Sequence, residues 1–583
     1  MAPGRQYKFG AYLLDVQGRV LFRGGAPVAL PPKVAELLVA LVQAAGTVIT
    51  REHLLERLWP DTVVEEGSLT SHISLLRKTL GRDSNGGEFI ETLSKRGYRF
   101  VAQVTLAESE APEKVASRVM LVVLPFENFT TGDKYDYFSD GLTEEMITEI
   151  ARLSPERLGV IARTSAMQFK STTKSIEQIG HELGVSHVLE GSVRRAGERV
   201  RITAQLIRVS DESHLWAESF ERALDDVLEV QAEVAQAVAR EVQVKLSPHD
   251  ARRLHPEKRR SIKPQAYEAY LRGRHFWYRR TEEGMRKSIE CFQAALQHDP
   301  SFAAAYDGIS DAHTMLACRG MTSAPDSFHK AKAAARQAVR IEPDLGEGYA
   351  SLAHVRLHDW DWVGIESDFR RAVELDPGYA IAHYWYAEYL MAMGRTGEAV
   401  RRVEHSLVLD PLNSVINASV GMIRYLAHDF DGALVALRRG LEIDPTHYVS
   451  HLRVGLVCLQ KKLPNEAVAA MLQAVTHSGG ATEALVGLAQ AYAVAGDSPT
   501  MKRIVQGLGE GRRPYVSPYN VARLYGAIDD KPRALEWLER AYEEHNPDLI
   551  ELTREPSFAS LRPDAKFREL TARIGWSHVT AAL

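Results

Sequence analysis

At 583 residues the chain is longer than one hydrophobic core organises, so several domains are expected. Hydrophobic content of 45%, charged content of 25% and no low-complexity tract exclude a disordered or fibrous chain. The net charge of -5 is uneven: residues 1–103 hold 13 Lys and Arg against 10 Asp and Glu, a balance of +3, leaving -8 for the remaining 480. That contrast suits a nucleic-acid-binding head on an acidic body.

The chain opens on "MAPGRQYKFG", which lacks the apolar run of a signal peptide. "YKFGAYLLD" (Tyr7 to Asp15) alternates apolar and polar residues and, with "RVLFRGGAPVAL", predicts a small antiparallel sheet turned at Gly-Gly. "PPKVAELLVALVQAAG" starts with Pro, ends with Gly and spaces Val34, Leu37, Leu38 and Leu41 as a helix does. "TREHLLERLW" is a second helix, with Thr50 as its N-cap and Pro60 beyond its end. "GSLTSHISLLRKTLG" is a third. Its Leu69, Ile73, Leu76 and Leu80 form one buried stripe, and its other face carries Thr70, Ser71, His72, Ser74, Leu75, Arg77 and Lys78. "EFIETLSKRGYRFVAQV" predicts a hairpin with Lys95, Arg96 and Gly97 at its tip.

A polar helix followed by a hairpin with a basic tip suits duplex DNA: the helix enters the major groove and the tip reaches the backbone or minor groove. On "ALPPKVAELLVALV", "VITREHLLERLWPD", "SLTSHISLLRKTLG" and "KRGYRFVA", residues 1–103 resemble the winged-helix effector domain of the OmpR/PhoB family. The resemblance implies double-stranded DNA as partner, with Ser71, Ser74 and Lys78 at base edges. By the same resemblance His72 and Arg77 meet phosphates, and Lys95 and Arg96 act on the wing. Leu75 departs from the basic residue common at its place, and suits a thymine methyl or a looser specificity. "WPDTVVEEG" resembles the family's polymerase-touching loop, so Asp61, Glu65 and Glu66 imply RNA polymerase as a further partner. The sequence begins at this segment without a receiver ahead of it, so phosphorelay control is not expected.

Residues 104–117, rich in Glu, Ala and Ser, read as a linker. In residues 118–247 the order of elements is β-α-β-α-β-β-α, which predicts an α/β sandwich with a mixed sheet. Its apolar run "VMLVVLPF" is a buried strand, far shorter than the ~20 residues of a membrane span. No Walker loop, HExxH or GxSxG is present, so no catalytic residue and no cofactor are expected. Asp133, Asp136 and Asp140 lack EF-hand spacing and read as loop residues rather than a metal site, while the hydroxyls and cations of "RTSAMQFK" read as an ordinary strand end more than an anion cradle. On "VLPFENFTTGDKYDYFSDGLTEEMITEIARL" and "IGHELGVSHVLEGSVRRAGERVRITAQLI" the segment resembles the TolB amino-terminal-like (FlgO/CsgG-related) module, which implies a connector or sensor.

From Pro264 the chain repeats. Prolines at 343, 377, 411 and 445 stand 34 residues apart, the tetratricopeptide period, with small residues such as Ala353 and Ala387 where helices approach closely. About eight repeats are expected over 260–547, with capping helices over 548–583. Their groove suits a protein or peptide ligand or a homo-oligomer, with Tyr384, Trp385, Tyr389, Trp360 and Trp362 as lining candidates or as core. Cys291, Cys318 and Cys458 stand far apart and read as packing residues in a reducing compartment.

The sequence thus predicts a multidomain α+β protein: a winged helix, an α/β sandwich module and an all-α solenoid. The expected function is a cytoplasmic one-component transcription regulator, not an enzyme. The alternative is a cytoplasmic scaffold whose DNA binding is weak.

Overall fold

The computed structural model describes residues 6–10, 12–15, 20–23, 26–28, 32–58, 66–81, 87–93, 96–102, 104–107, 119–130, 136–153, 157–197, 199–223, 227–242, 262–509 and 515–576. It divides into two units, Met1–Ser117 and Arg118–Leu583.

The alternating N-terminal residues form β1 (Gln6–Phe9), β2 (Tyr12–Asp15), β3 (Val20–Arg23) and β4 (Ala26–Val28). Then come α1 (Pro32–Gln43), β5 (Val48–Ile49), α2 (Arg51–Leu58) and α3 (Glu66–Leu80). β6 (Ile90–Leu93), β7 (Gly97–Phe100) and β8 (Thr105–Ala107) complete the unit. One antiparallel sheet runs β4-β3-β2-β1-β8 and a second runs β5-β7-β6. β8 falls in the stretch expected to be a linker. It pairs with β1, Lys8 opposite Thr105, and so belongs to the first unit. The rest of that stretch, residues 108–117, lies outside the described residues. The α3 stripe is buried as its spacing requires: Leu69, Ile73, Leu76 and Leu80 are each at most 3% exposed, in one core with Leu37, Leu38 and Leu41 of α1. Phe9 and Phe100 close that core edge to face at 5.0 Å.

The second unit opens with β9 (Val119–Val123), β10 (Glu127–Asn128), α4 (Asp136–Ala151), β11 (Leu158–Val160), α5 (Arg163–Ala166) and α6 (Ile176–Leu183). It continues with β12 (His187–Ala196), β13 (Arg199–Arg208), β14 (His214–Ala223) and α7 (Val227–Glu241). The sheet runs β11-β9-β12-β13-β14, with β10 also on β12. It is mixed: β9 is parallel to β11 and β12, and β12 to β14 form an antiparallel meander. The parallel strand is apolar throughout its buried part, Leu121 to Val123, because helices cover both faces of such a strand.

Eight helical hairpins follow among the described residues. They are α8 (Pro264–Trp277) with α9 (Glu282–His298), α10 (Ala303–Cys318) with α11 (Ala324–Ile341), α12 (Gly346–His358) with α13 (Ile365–Leu375), and α14 (Ala380–Ala392) with α15 (Thr396–Leu409). The others are α16 (Ser414–Leu426) with α17 (Phe430–Ile443), α18 (Tyr448–Gln460) with α19 (Pro464–His477), α20 (Thr482–Val494) with α21 (Ser498–Gly509), and α22 (Pro518–Ala527) with α23 (Lys531–Glu543). Hairpins three to seven start at residues 346, 380, 414, 448 and 482, a strict 34-residue step. At Gly421 the partner helix comes so close that a Cβ would lie 2.5 Å from Leu437.

The tail departs from the expected capping helices. Residues Pro547–Glu551 and Pro556–Leu561 form 3-10 turns, and one helix, α24 (Ala565–Ile574), follows. Prolines at 547, 556 and 563 prevent a long helix here. The first turn lies against the inner helices α10, α12 and α14, inside the groove. The array also meets its own end: the Trp362 indole donates to the Ile574 carbonyl at 2.6 Å, and Trp360 stacks on His545 at 3.9 Å. Trp385 and Tyr389 are buried in helix packing, so the expected groove aromatics are core or contacts to the tail.

Candidate nucleic-acid interface and internal cavity

The geometry around α3 is set by local chemistry. Thr50 caps α2, its Oγ1 accepting from the His53 amide at 3.2 Å, as its residue type predicts. Lys33 donates to the Leu58 carbonyl at 2.7 Å and closes the other end of α2. α3 ends at Gly81, in the left-handed region at φ +67°, and the Tyr12 hydroxyl donates to the Leu80 carbonyl at 2.9 Å. The wing is β6 and β7 with β5 alongside. Gly97 sits at φ +140°, and a Cβ there would lie 2.0 Å from the Ile49 carbonyl oxygen. Only glycine lets β7 cross β5 at this point, which accounts for the Gly in "KRGYRF". Tyr98 and Phe100 then turn into the core, 2% and 0% exposed.

The outward face of α3 presents Thr70, Ser71, Ser74 and Leu75 to solvent, with His72 half-buried. Leu75 is 38% exposed, a bare apolar side chain between hydroxyls. Arg96 is exposed at the wing's turn. Arg77 is engaged within the domain. Its guanidinium donates to the Ile90 carbonyl at 2.8 Å and to Thr92 Oγ1 at 2.7 Å, and pairs with Glu88 at 3.3 Å. It ties α3 to β6, a role with no signal in the linear sequence. Lys95, Asp61 and Glu65 lie outside the described residues, as do the side chains of Lys78 and Glu66.

In the second unit the stretch "RTSAMQFK" does hold an anion, and it is the chain's own. Asp410 Oδ1 accepts from the Ser165 amide at 2.9 Å and its hydroxyl at 2.5 Å, while the Leu412 amide donates back to Ser165 Oγ at 2.8 Å. Asp140 is likewise paired, to Lys170 at 2.7 Å. Asp133 and the Asp136 side chain lie outside the described residues.

α4 packs on α8, and between the module and the first hairpins lies a cavity of about 500 Å³. Its lining holds nine carboxylates and four arginines among the described residues, with Tyr267, Tyr270 and Tyr379. Burial pushes Glu144 up, but Arg274 and Arg163 pull it below its ordinary value. At Glu145 the pull of Arg152 is outweighed: burial, with Glu144 and Glu149 beside it, pushes it up to about 8. Asp307 is driven up by burial and by Asp311, and its Oδ1 has no hydrogen-bond partner. A surplus of carboxylates lining a cavity together with tyrosines is suited to a cation. These residues lie between positions 144 and 410, so no local motif announces them.

Residues 25–100 match the family "Transcriptional regulatory protein, C terminal", and residues 117–237 match "HilA/YgeH-like transcriptional regulator, second domain". The chain is similar to the transcriptional regulator HilA of Salmonella typhimurium, 25% identical over 76% of this chain and 77% of that one. It is also 34% identical to a putative adenylate cyclase 3 of Rhizobium meliloti, over 42% of this chain and 41% of that protein's length. The solved DNA-binding domain of E. coli CadC is 30% identical, covering 18% of this chain and 96% of that one with a TM-score of 0.17. Among the described residues no helix is long and apolar enough to cross a membrane.

Proposed function

We propose that this chain is a DNA-binding transcriptional regulator whose first unit reads promoter DNA and whose second unit receives a signal. The observation that carries the reading is α3: a stripe committed to the core, and a face of small hydroxyls and one exposed leucine, followed by a glycine-dependent wing tipped by Arg96. The regulator families matching residues 25–100 and 117–237 support it. Ser71, Ser74 and Lys78 suit base edges, Leu75 a thymine methyl, and Arg96, Lys95 and His72 the phosphates. Arg77 serves as the residue that sets the angle between helix and wing. Polymerase contact through Asp61, Glu65 and Glu66 belongs to the same reading.

The hairpins carry the spacing of tetratricopeptide repeats, and the part of their groove facing α10, α12 and α14 is taken by the tail. The acidic cavity beside α4 is therefore our choice for the effector site, with a small organic cation as the ligand class. The test of the main reading is fluorescence anisotropy of the full chain on its own upstream DNA and on random duplex, at moderate salt. A preference for the upstream DNA is expected. Equal and weak binding to both would leave assembly through the helical array as the function.

A further inference from the structure

His354 and His358 stand one turn apart on α12 and present their rings to the same side. Glu388 lies on α14, 34 residues after His354, and the repeat stacks these two equivalent positions of hairpins three and four. The two Nε2 atoms are 3.2 Å apart, and Glu388 Oε2 is 3.9 Å from His354 Nε2. All three ligand atoms fall within 4.8 Å of one another. We propose that His354, His358 and Glu388 form a binding site for a divalent transition-metal ion of the zinc class.

The spacing fits the chemistry. Two nitrogens bound tetrahedrally at ~2.0–2.1 Å from zinc stand about 3.3 Å apart. The surrounding groups orient the ligands as metal sites require. The Pro547 carbonyl, 3.4 Å from His358 Nδ1, can only accept, which places that ring's proton on Nδ1 and leaves Nε2 a lone pair. The Tyr384 hydroxyl donates to Glu388 Oε1 at 2.8 Å, while Oε2 is buried without a hydrogen-bond partner. His354 is held flat against Trp385 at 4.0 Å. A hydrogen bond between two neutral imidazoles would account for the histidines alone. Glu388 Oε2, buried without a hydrogen-bond partner and 3.9 Å from His354 Nε2, is within reach of an ion held between the rings. Two imidazoles and one carboxylate select zinc, cobalt or nickel over calcium and magnesium. Three protein ligands leave a fourth position for water or a small ligand.

The test uses the full chain, stripped with a chelator and titrated with Zn²⁺ against a chromophoric competitor, and separately with Co²⁺. One equivalent of zinc and the intense visible bands of tetrahedral cobalt are expected. The bands disappear in His354→Gln/His358→Gln, and zinc binds at least ten-fold more weakly in Glu388→Gln. Glu388→Gln keeps the side chain's shape, so it reports on ligation even if the histidine variant fails to fold, which circular dichroism checks. No zinc bound by the wild type overturns the site. So does zinc bound with unchanged affinity in Glu388→Gln and in a folded histidine variant, since the metal then sits on other residues.

Discussion

Single residues in the first unit divide into those that build the reading surface and those that face outward from it. Gly97→Ala places a methyl group against the Ile49 carbonyl in a left-handed conformation. It should cost the first unit about 2–4 kcal/mol, read as a lowered denaturation midpoint together with lost DNA binding. Arg96→Ala, at the exposed wing turn, should weaken binding to every duplex alike and reduce the slope of log affinity against log salt by about 1. Arg77→Ala breaks the tie to Ile90 and Thr92, so stability and affinity should fall together, separating it from Arg96→Ala in a melting curve. In the second unit the folded state holds the Glu145 proton up to about 8, whereas the unfolded carboxyl releases it near 4.5. Its favourable contribution is therefore complete below that lower value and fades as pH rises to about 8. Glu145→Gln, which keeps the proton's hydrogen-bonding capacity without the charge, should raise the midpoint at pH 8 and have little effect at pH 5.

Among the elements, how much could be read from the sequence depended on how local the cause was. The α3 stripe and the Thr50 cap are each set within a few residues, and the 34-residue step of the hairpins repeats plainly; the wing glycine is visible in the sequence, but the Ile49 carbonyl that requires it is not. What the sequence hid is long-range. The resemblance puts Arg77 on a phosphate, whereas in the fold it is held by Glu88 and by the Ile90 carbonyl and Thr92 hydroxyl of a later strand, groups 11 to 15 residues away that mark no partner in the sequence. The hydroxyls and cations of "RTSAMQFK" read as an ordinary strand end because the anion they hold, Asp410, lies 245 residues away. His354 and His358 carry a visible i, i+4 spacing, but their third partner appears only when the repeats are stacked. Ser165→Ala removes a hydroxyl bond to the buried Asp410 carboxylate, though the amide bond remains. A loss of ~1–3 kcal/mol is expected for the second unit. Asp410 would still be satisfied by Asn413, so the effect should show as a shifted melt rather than failure to fold.

For the molecule as a whole, the second unit is one piece, in which the module, the hairpins and the tail share contacts from Tyr137 with Glu268 to Trp362 with Ile574. Its net charge and its cavity lining both run acidic, whereas residues 1–103 of the first unit are net basic. An open array of repeats assembles from any point and frays from its ends, each hairpin needing only its neighbours. Here the third hairpin is fastened to the last helix across 212 residues of chain. Closing that contact must wait until everything between is in place, because long loops are entropically slow to close. Refolding followed by tryptophan fluorescence should therefore show a late phase, after helical content has recovered, as Trp362 meets Trp576 and Trp360 stacks on His545. The stretch from hairpin three onward behaves less like a spring than like a clasp. It has a last step, and a cell that interrupts that step holds a chain with its helices formed and its ends still apart.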